Sequence, residues 1–217
     1  MPMQMILGGF LFALLFALIQ IGVVTVAFDR LGLSQNAAIL LLLMSLGGSA
    51  INLPLFTMDA TRSPDPELKR KMQAMSRLAP RVPEGKVLIA VNVGGCVIPV
   101  AFSLYLLQYH PLPVLAVIGA IAIQSGICYA FSRPIRGMGI GMPILVAPIA
   151  AAVVAVTLAP EQSAPLAYIC GTLGVLAGAD LLRLRDVRGL GSPLASIGGA
   201  GTFDGVFITG LVAVLLA

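Results

Sequence analysis

Tryptophan is absent from this chain, histidine occurs once, and only 10% of the residues are charged. A soluble domain carries roughly a quarter charged residues, so there is too little charge here to cover a water-facing surface. The lone histidine, His110, sits between Tyr109 and Pro111 with no second histidine to build a metal site, and it reads as an interfacial residue. Three cysteines, Cys96, Cys128 and Cys170, each lie inside an apolar run without the paired short spacing of a zinc site. They pack as small apolar side chains and imply no disulfide compartment. No phosphate loop, metal cluster or Ser/His pair lies within the apolar runs, so no metal and no cofactor is expected.

Hydrophobic residues make up 59% of the 217 positions and fall into seven runs. These are Met5–Phe28, Ala37–Phe56, Val87–Tyr109, Val114–Phe131, Ile140–Leu158, Pro165–Leu182 and Ile197–Ala217. Each approaches the roughly 20 residues that a helix needs to cross a bilayer core. The expectation is an all-α polytopic membrane bundle of about seven transmembrane helices, forming a single transmembrane domain over 1–217. The first run follows MPMQM, which lacks a positively charged start, and it is too long for a cleaved signal, so it reads as a retained span. The last run opens with SIGGAGTFDG and reads as a broken or re-entrant element.

The net charge of +4 does not point to nucleic acid, because the basic residues lie between apolar runs. Twelve of the thirteen fall in even-numbered connections, with Arg30 alone on the other side. The positive-inside rule then makes this a multi-pass protein of the cytoplasmic (inner) membrane, with the N-terminus in the cytoplasm and the C-terminus outside. Within the longest connection, Ser63 to Pro66 suits a helix start, and Leu68, Met72, Met75 and Ala79 recur at helical spacing. Lys69, Arg70, Lys71 and Arg77 occupy the other faces. An amphipathic helix near 64–79, lying on the cytoplasmic membrane surface against anionic lipid headgroups, is the expectation. A mobile charged loop is the plainer alternative.

A short echo recurs as SLGGSAINLP from Ser45, NVGGCVIP from Asn92 and SIGGAGTFDG from Ser196. Paired glycines permit both close helix approach and local unwinding. Of the nine acidic residues, only Asp180 and Asp204 lie within apolar runs. A carboxylate costs about 2.5–3.5 kcal/mol at mid-helix on insertion scales and is a functional candidate by default. The two lie on consecutive antiparallel spans at matched depth near the cytoplasmic side. Gly201 stands three residues before Asp204 and Ala177 three before Asp180, while Gly174 and Gly178 add a small-residue seam. Two carboxylates held close share a proton, which suits one to deprotonate a water while the other protonates a carbonyl. The plainer alternative pairs Asp180 with Arg183 and leaves Asp204 as a helix cap. Asn92 reads either as lining the same cavity or as an interhelical hydrogen bond.

Gly178-Ala179-Asp180 followed by Gly201-Thr202-Phe203-Asp204 resembles the two-aspartate pattern of GxGD-type intramembrane aspartic proteases. That group includes presenilin, signal peptide peptidase and the prepilin peptidases. Phe203 stands where the signature has its second glycine. The resemblance covers about thirty residues and implies Asp180 and Asp204 as the catalytic pair, with a transmembrane peptide as substrate. A Pro-Ala-Leu element of presenilin-like enzymes has an echo in Pro143-Ile144-Leu145, which precedes the aspartates instead of following them. Through Ala90–Gly95 and Gly198–Gly205 the chain is also similar to a family of prokaryotic multi-spanning proteins, a likeness that supplies no function. A proton- or cation-coupled transporter using the same aspartates is the second expectation, and a noncatalytic membrane scaffold the third.

The surface-helix expectation has a direct test. A peptide covering 64–79 should become helical on anionic vesicles far more than on neutral ones, since each basic residue near the headgroups contributes about 1 kcal/mol. An equal response by circular dichroism would favour the mobile loop.

Overall fold

The computed structural model of the chain describes residues 23–62, 83–136, 139–199 and 205–217. The surface helix expected near 64–79, Gly201 and Asp204 lie outside the described residues, as does most of the first apolar run.

The expected all-α bundle of about seven spans is overturned. Among the described residues, five strands in two sheets accompany the helices. Only Val114–Phe131 and Pro160–Leu181, among the described residues, are long and apolar enough to cross a membrane. Several apolar runs hold a strand and a helix end to end. Helix α1 (Val23–Arg30) turns into α2 (Gln35–Gly48), which stops at its glycine pair, and strand β1 (Asn52–Asp59) follows. Strand β2 (Lys86–Asn92) leads through a π-helical turn, Val93–Val97, into α3 (Ile98–Tyr109). Helix α4 occupies Val114–Phe131 without a break. A hairpin of β3 (Arg133–Ile135) and β4 (Gly139–Gly141) precedes α5 (Val146–Leu158). Helix α6 (Ser163–Val175) continues as a π-helical segment, Leu176–Leu181, before β5 (Leu194–Ile197) and α7 (Gly205–Leu216).

Hydropathy measures how dry a segment is, not which backbone it adopts. Val87, Ile89 and Val91 favour a strand, yet they belong to an apolar run as long as a span. In the sheet β2 is central: β1 pairs with it antiparallel and β5 parallel. Val87, Leu88, Ile89 and Ala90 are accordingly buried on both faces. β1 is an edge, and Pro54 with the register shift between Pro54 and Phe56 marks it as one.

The helices pack through small residues. Position 171 faces Ala151, Gly210 and Ala213, and Gly210 faces Tyr168 and Thr172, so α5, α6 and α7 approach closely. Helix α6 is the centre: 78% of the most apolar stretch of Pro160–Leu181, to which it belongs, is buried, against 28% for α4, which turns Leu115 and Ile118 outward. At the end away from the three-stranded sheet, Arg30 Nη1 donates to Val214 O at 3.5 Å and Ser163 Oγ to Ala217 O at 3.1 Å. Midway, Ser103 and Thr172 hydroxyls meet at 2.9 Å, and Gln124 Nε2 donates to Ala147 O at 2.8 Å.

Two glycine substitutions should separate contact from open space. A Cβ at Gly94 would collide with the backbone of Ser45 and Ser49, whereas a Cβ at Gly126 meets nothing within 4 Å. Thermal unfolding in detergent should show Gly94→Ala destabilised by about 1–3 kcal/mol or more. Gly126→Ala should match the parent or exceed it slightly. Equal stability of the two variants would contradict the packing described here.

Candidate functional site

The three glycine-pair echoes, far apart in sequence, converge at the end of the sheet. Ser45 Oγ donates to Gly94 O at 2.8 Å, and Gly48 lies against the Gly94 backbone. Gly198 adopts φ +83 and stacks on Gly95 and Cys96, where a Cβ would meet backbone atoms at 2.6–2.7 Å. Such a conformation and such a contact both select glycine. In each echo a polar residue precedes the glycine pair by two positions, and Ser45, Asn92 and Ser196 all take part in the junction.

Asn92 is its hub. The side chain is buried, its Oδ1 accepts from Gly95 N at 2.8 Å, and its Nδ2 donates to Ser49 O at 2.7 Å and Asn52 Oδ1 at 3.1 Å. It therefore caps the π-helical turn while joining β2 to the end of α2. Both polar atoms of the Asn92 side chain are thus engaged within the junction. Asn52 Oδ1 also accepts from Ser196 Oγ at 2.6 Å, so the network crosses all three strands.

Asp180 adjoins this junction. It lies in the π-helical end of α6, and its Oδ2 accepts from the Gly198 N–H at 2.7 Å. Among the described residues Oδ1 takes no hydrogen bond. Arg183 does not pair with Asp180. Its Nη1 meets Asp186 Oδ2 at 3.0 Å, and its Nε donates to Ser132 Oγ at 3.2 Å. Nη2 donates to Tyr129 O at 2.8 Å and Ser132 O at 2.9 Å, and the guanidinium carbon stands 4.2 Å from the Tyr129 ring centroid. The guanidinium thus caps the C-terminal carbonyls of α4, a placement the helix dipole favours. Among the described residues Asp180 is left with a backbone amide and no cation.

Of the other candidates, Gly178 and Pro143 are among the described residues. Gly178 packs on Ser125 O and Cys128 of α4, and Gly174 on Gln124, so the small-residue seam lies against α4. Pro143 is exposed before α5, and its carbonyl accepts from Val146 N at 3.2 Å. Asp204 and Gly201 lie outside the described residues; α7 begins at Gly205, directly after Asp204. No three of His, Cys, Asp or Glu gather as a metal site among the described residues. Sequence reasoning passed over Asn52, Ser196 and Gly198. For Ser196 and Gly198 the signal was the polar residue followed by a glycine pair; Asn52 carried none.

The family model described as "Protein of unknown function (DUF1614)" matches residues 46–216, and the chain belongs to that family. No curated protein and no solved structure matches the chain. The matched region holds all three glycine-pair elements except Ser45, together with Asp180 and Asp204.

Proposed function

We propose that this chain is an intramembrane aspartic endopeptidase in which Asp180 and Asp204 share the acid and base roles. The observation that carries the reading is the 2.7 Å hydrogen bond from Gly198 N–H to Asp180 Oδ2. It fastens the first carboxylate to the start of the glycine-rich segment that ends in the second. From Gly198 to Asp204 is six residues, a reach of at most about 22 Å even if fully extended. The engagement of Arg183 elsewhere supports the same reading, because an adjacent cation would hold Asp180 as a plain ion pair. In the reaction one carboxylate takes a proton from water as the water oxygen attacks the peptide carbonyl carbon. The other gives its proton to the carbonyl oxygen. Collapse of the tetrahedral diol breaks the C–N bond, and the nitrogen leaves protonated, giving an acid and an amine.

A proton- or cation-coupled carrier is the second reading. The π-helical interruptions at Val93–Val97 and Leu176–Leu181 favour it, since carriers bind their cargo at broken helices.

Two apolar helices of spanning length fit a membrane protein. The finer proposal is a multi-pass protein of the inner membrane, N-terminus inside, C-terminus outside, with the sheet end in the cytoplasm. Arg62, Lys86, Arg133, Arg136, Arg183, Arg185 and Arg188 flank that end, whereas Arg30 binds Val214 O at the opposite one. The connection from Met58 to Lys86 would there meet anionic headgroups.

Two measurements test these proposals. Asp180→Asn and Asp204→Asn should each abolish cleavage of a membrane-embedded peptide, with the double variant no worse than either single. Loss of solute uptake with no peptide bond cut in any variant or in the parent would hand the site to the carrier. For orientation, a single cysteine placed at Arg62 in a variant lacking the native cysteines should resist an impermeant thiol reagent added outside intact cells. Rapid modification there would reverse the topology.

A further inference from the structure

β1 and β5 are not neighbours in the sheet, because β2 lies between them. Their side chains nevertheless meet, through Ser196 Oγ on Asn52 Oδ1 at 2.6 Å. The orientation of the Asn52 amide follows from its surroundings. Asn92 Oδ1 is already an acceptor for Gly95 N–H, so Asn92 presents its NH2 group, and Asn52 must answer with its oxygen. That one oxygen then receives two donors, one from β2 and one from β5.

The location of this bond gives it a consequence. Ser196 is two residues before Gly198, whose N–H is the partner of Asp180. β5 is only four residues long and, among the described residues, pairs with β2 along one edge alone. The Ser196–Asn52 bond therefore adds a side-chain tie just where β5 ends and the glycine-rich segment begins. On the far side Gly198 rests against Gly95 and Cys96, so its backbone is held between two fixed walls.

We infer that Asn52 and Ser196 are positioning residues, which hold the Gly198 amide on Asp180 and thereby set the geometry of the aspartate site. The inference rests on the protease reading for its effect on rate, but not for the clamp itself. Neither residue touches substrate or water in the reaction; each acts through Gly198. A hydrogen bond of this kind contributes about 0.5–1.5 kcal/mol net, so removing it should slow the chemical step without weakening peptide binding.

The test uses the full chain in lipid, with a membrane-embedded peptide as substrate and with glycine-labelled protein for hydrogen exchange. Ser196→Ala and Asn52→Leu should lower kcat about tenfold with KM little changed. In both, the Gly198 amide should exchange at least about tenfold faster than in the parent. Ser196→Thr, which keeps the hydroxyl, should restore both readouts. Normal kcat and normal Gly198 exchange in Ser196→Ala and Asn52→Leu, while Asp180→Asn is inactive, would overturn the clamp and leave the protease reading standing. Cleavage that persists in Asp180→Asn would end the protease reading, and Gly198 exchange in the two clamp variants would then still decide the clamp by itself. Global unfolding of a variant would be seen as fast exchange at Gly171 and Gly210 in the bundle as well, and the folded one of the two clamp variants then gives the decision: faster Gly198 exchange with Gly171 and Gly210 unchanged supports the clamp, and normal Gly198 exchange overturns it.

Discussion

Backbone contact of Gly48 with Gly94, and of Gly198 with Gly95 and Cys96, sets the geometry on which the remaining structure depends. Nothing larger than hydrogen fits between these segments, so the end of α2, the start of α3 and the end of β5 lie closer than side chains would permit. That separation brings Ser45 within reach of Gly94 O and Asn92 within reach of Ser49 O. It also sets Gly198 beside the end of α6, where Asp180 waits as acceptor. A β-carbon at Gly48, Gly94 or Gly198 would push these partners out of hydrogen-bond range together, because short polar side chains such as Ser and Asn have little slack to follow.

The polar network is a second requirement of the same junction. Where helices stop inside an apolar molecule, their terminal amides and carbonyls need partners, and unpaired groups in hydrocarbon cost several kcal/mol each. Asn92 supplies one for Gly95 and another for Ser49, while Arg183 does the same for Tyr129 and Ser132 at the end of α4. The central strand β2 has both neighbours in place, and the outer edge of β1 carries Pro54, which removes one donor that would otherwise lack an acceptor.

The chain's dryness and the turns between its helices are legible from residues alone. Val114–Phe131 reads as one helix because nothing within it invites a strand or a break, and it is one. The sheet was hidden for a physical reason: Lys86–Asn92 is buried on both faces, so it shows no alternation of polar and apolar positions. The glycine pairs were visible as punctuation, but whether they close a helix or open a strand depends on long-range partners that no local pattern encodes. Asn52 illustrates the limit most clearly. Its meaning comes from Ser196, 144 positions away.

The end of α6 carries one residue too many for an α-turn. Widened turns of this sort commonly mark functional sites, and here the widened stretch, Leu176–Leu181, contains Asp180. Side chains advance by about 100° per residue around a regular helix. Losing a single residue from this stretch would therefore keep the helix intact while swinging the carboxylate roughly a quarter-turn off Gly198. Length is thus as much a part of the site as identity: in this segment a deletion of one small residue, harmless to hydropathy and to composition, would redirect the aspartate as surely as replacing it.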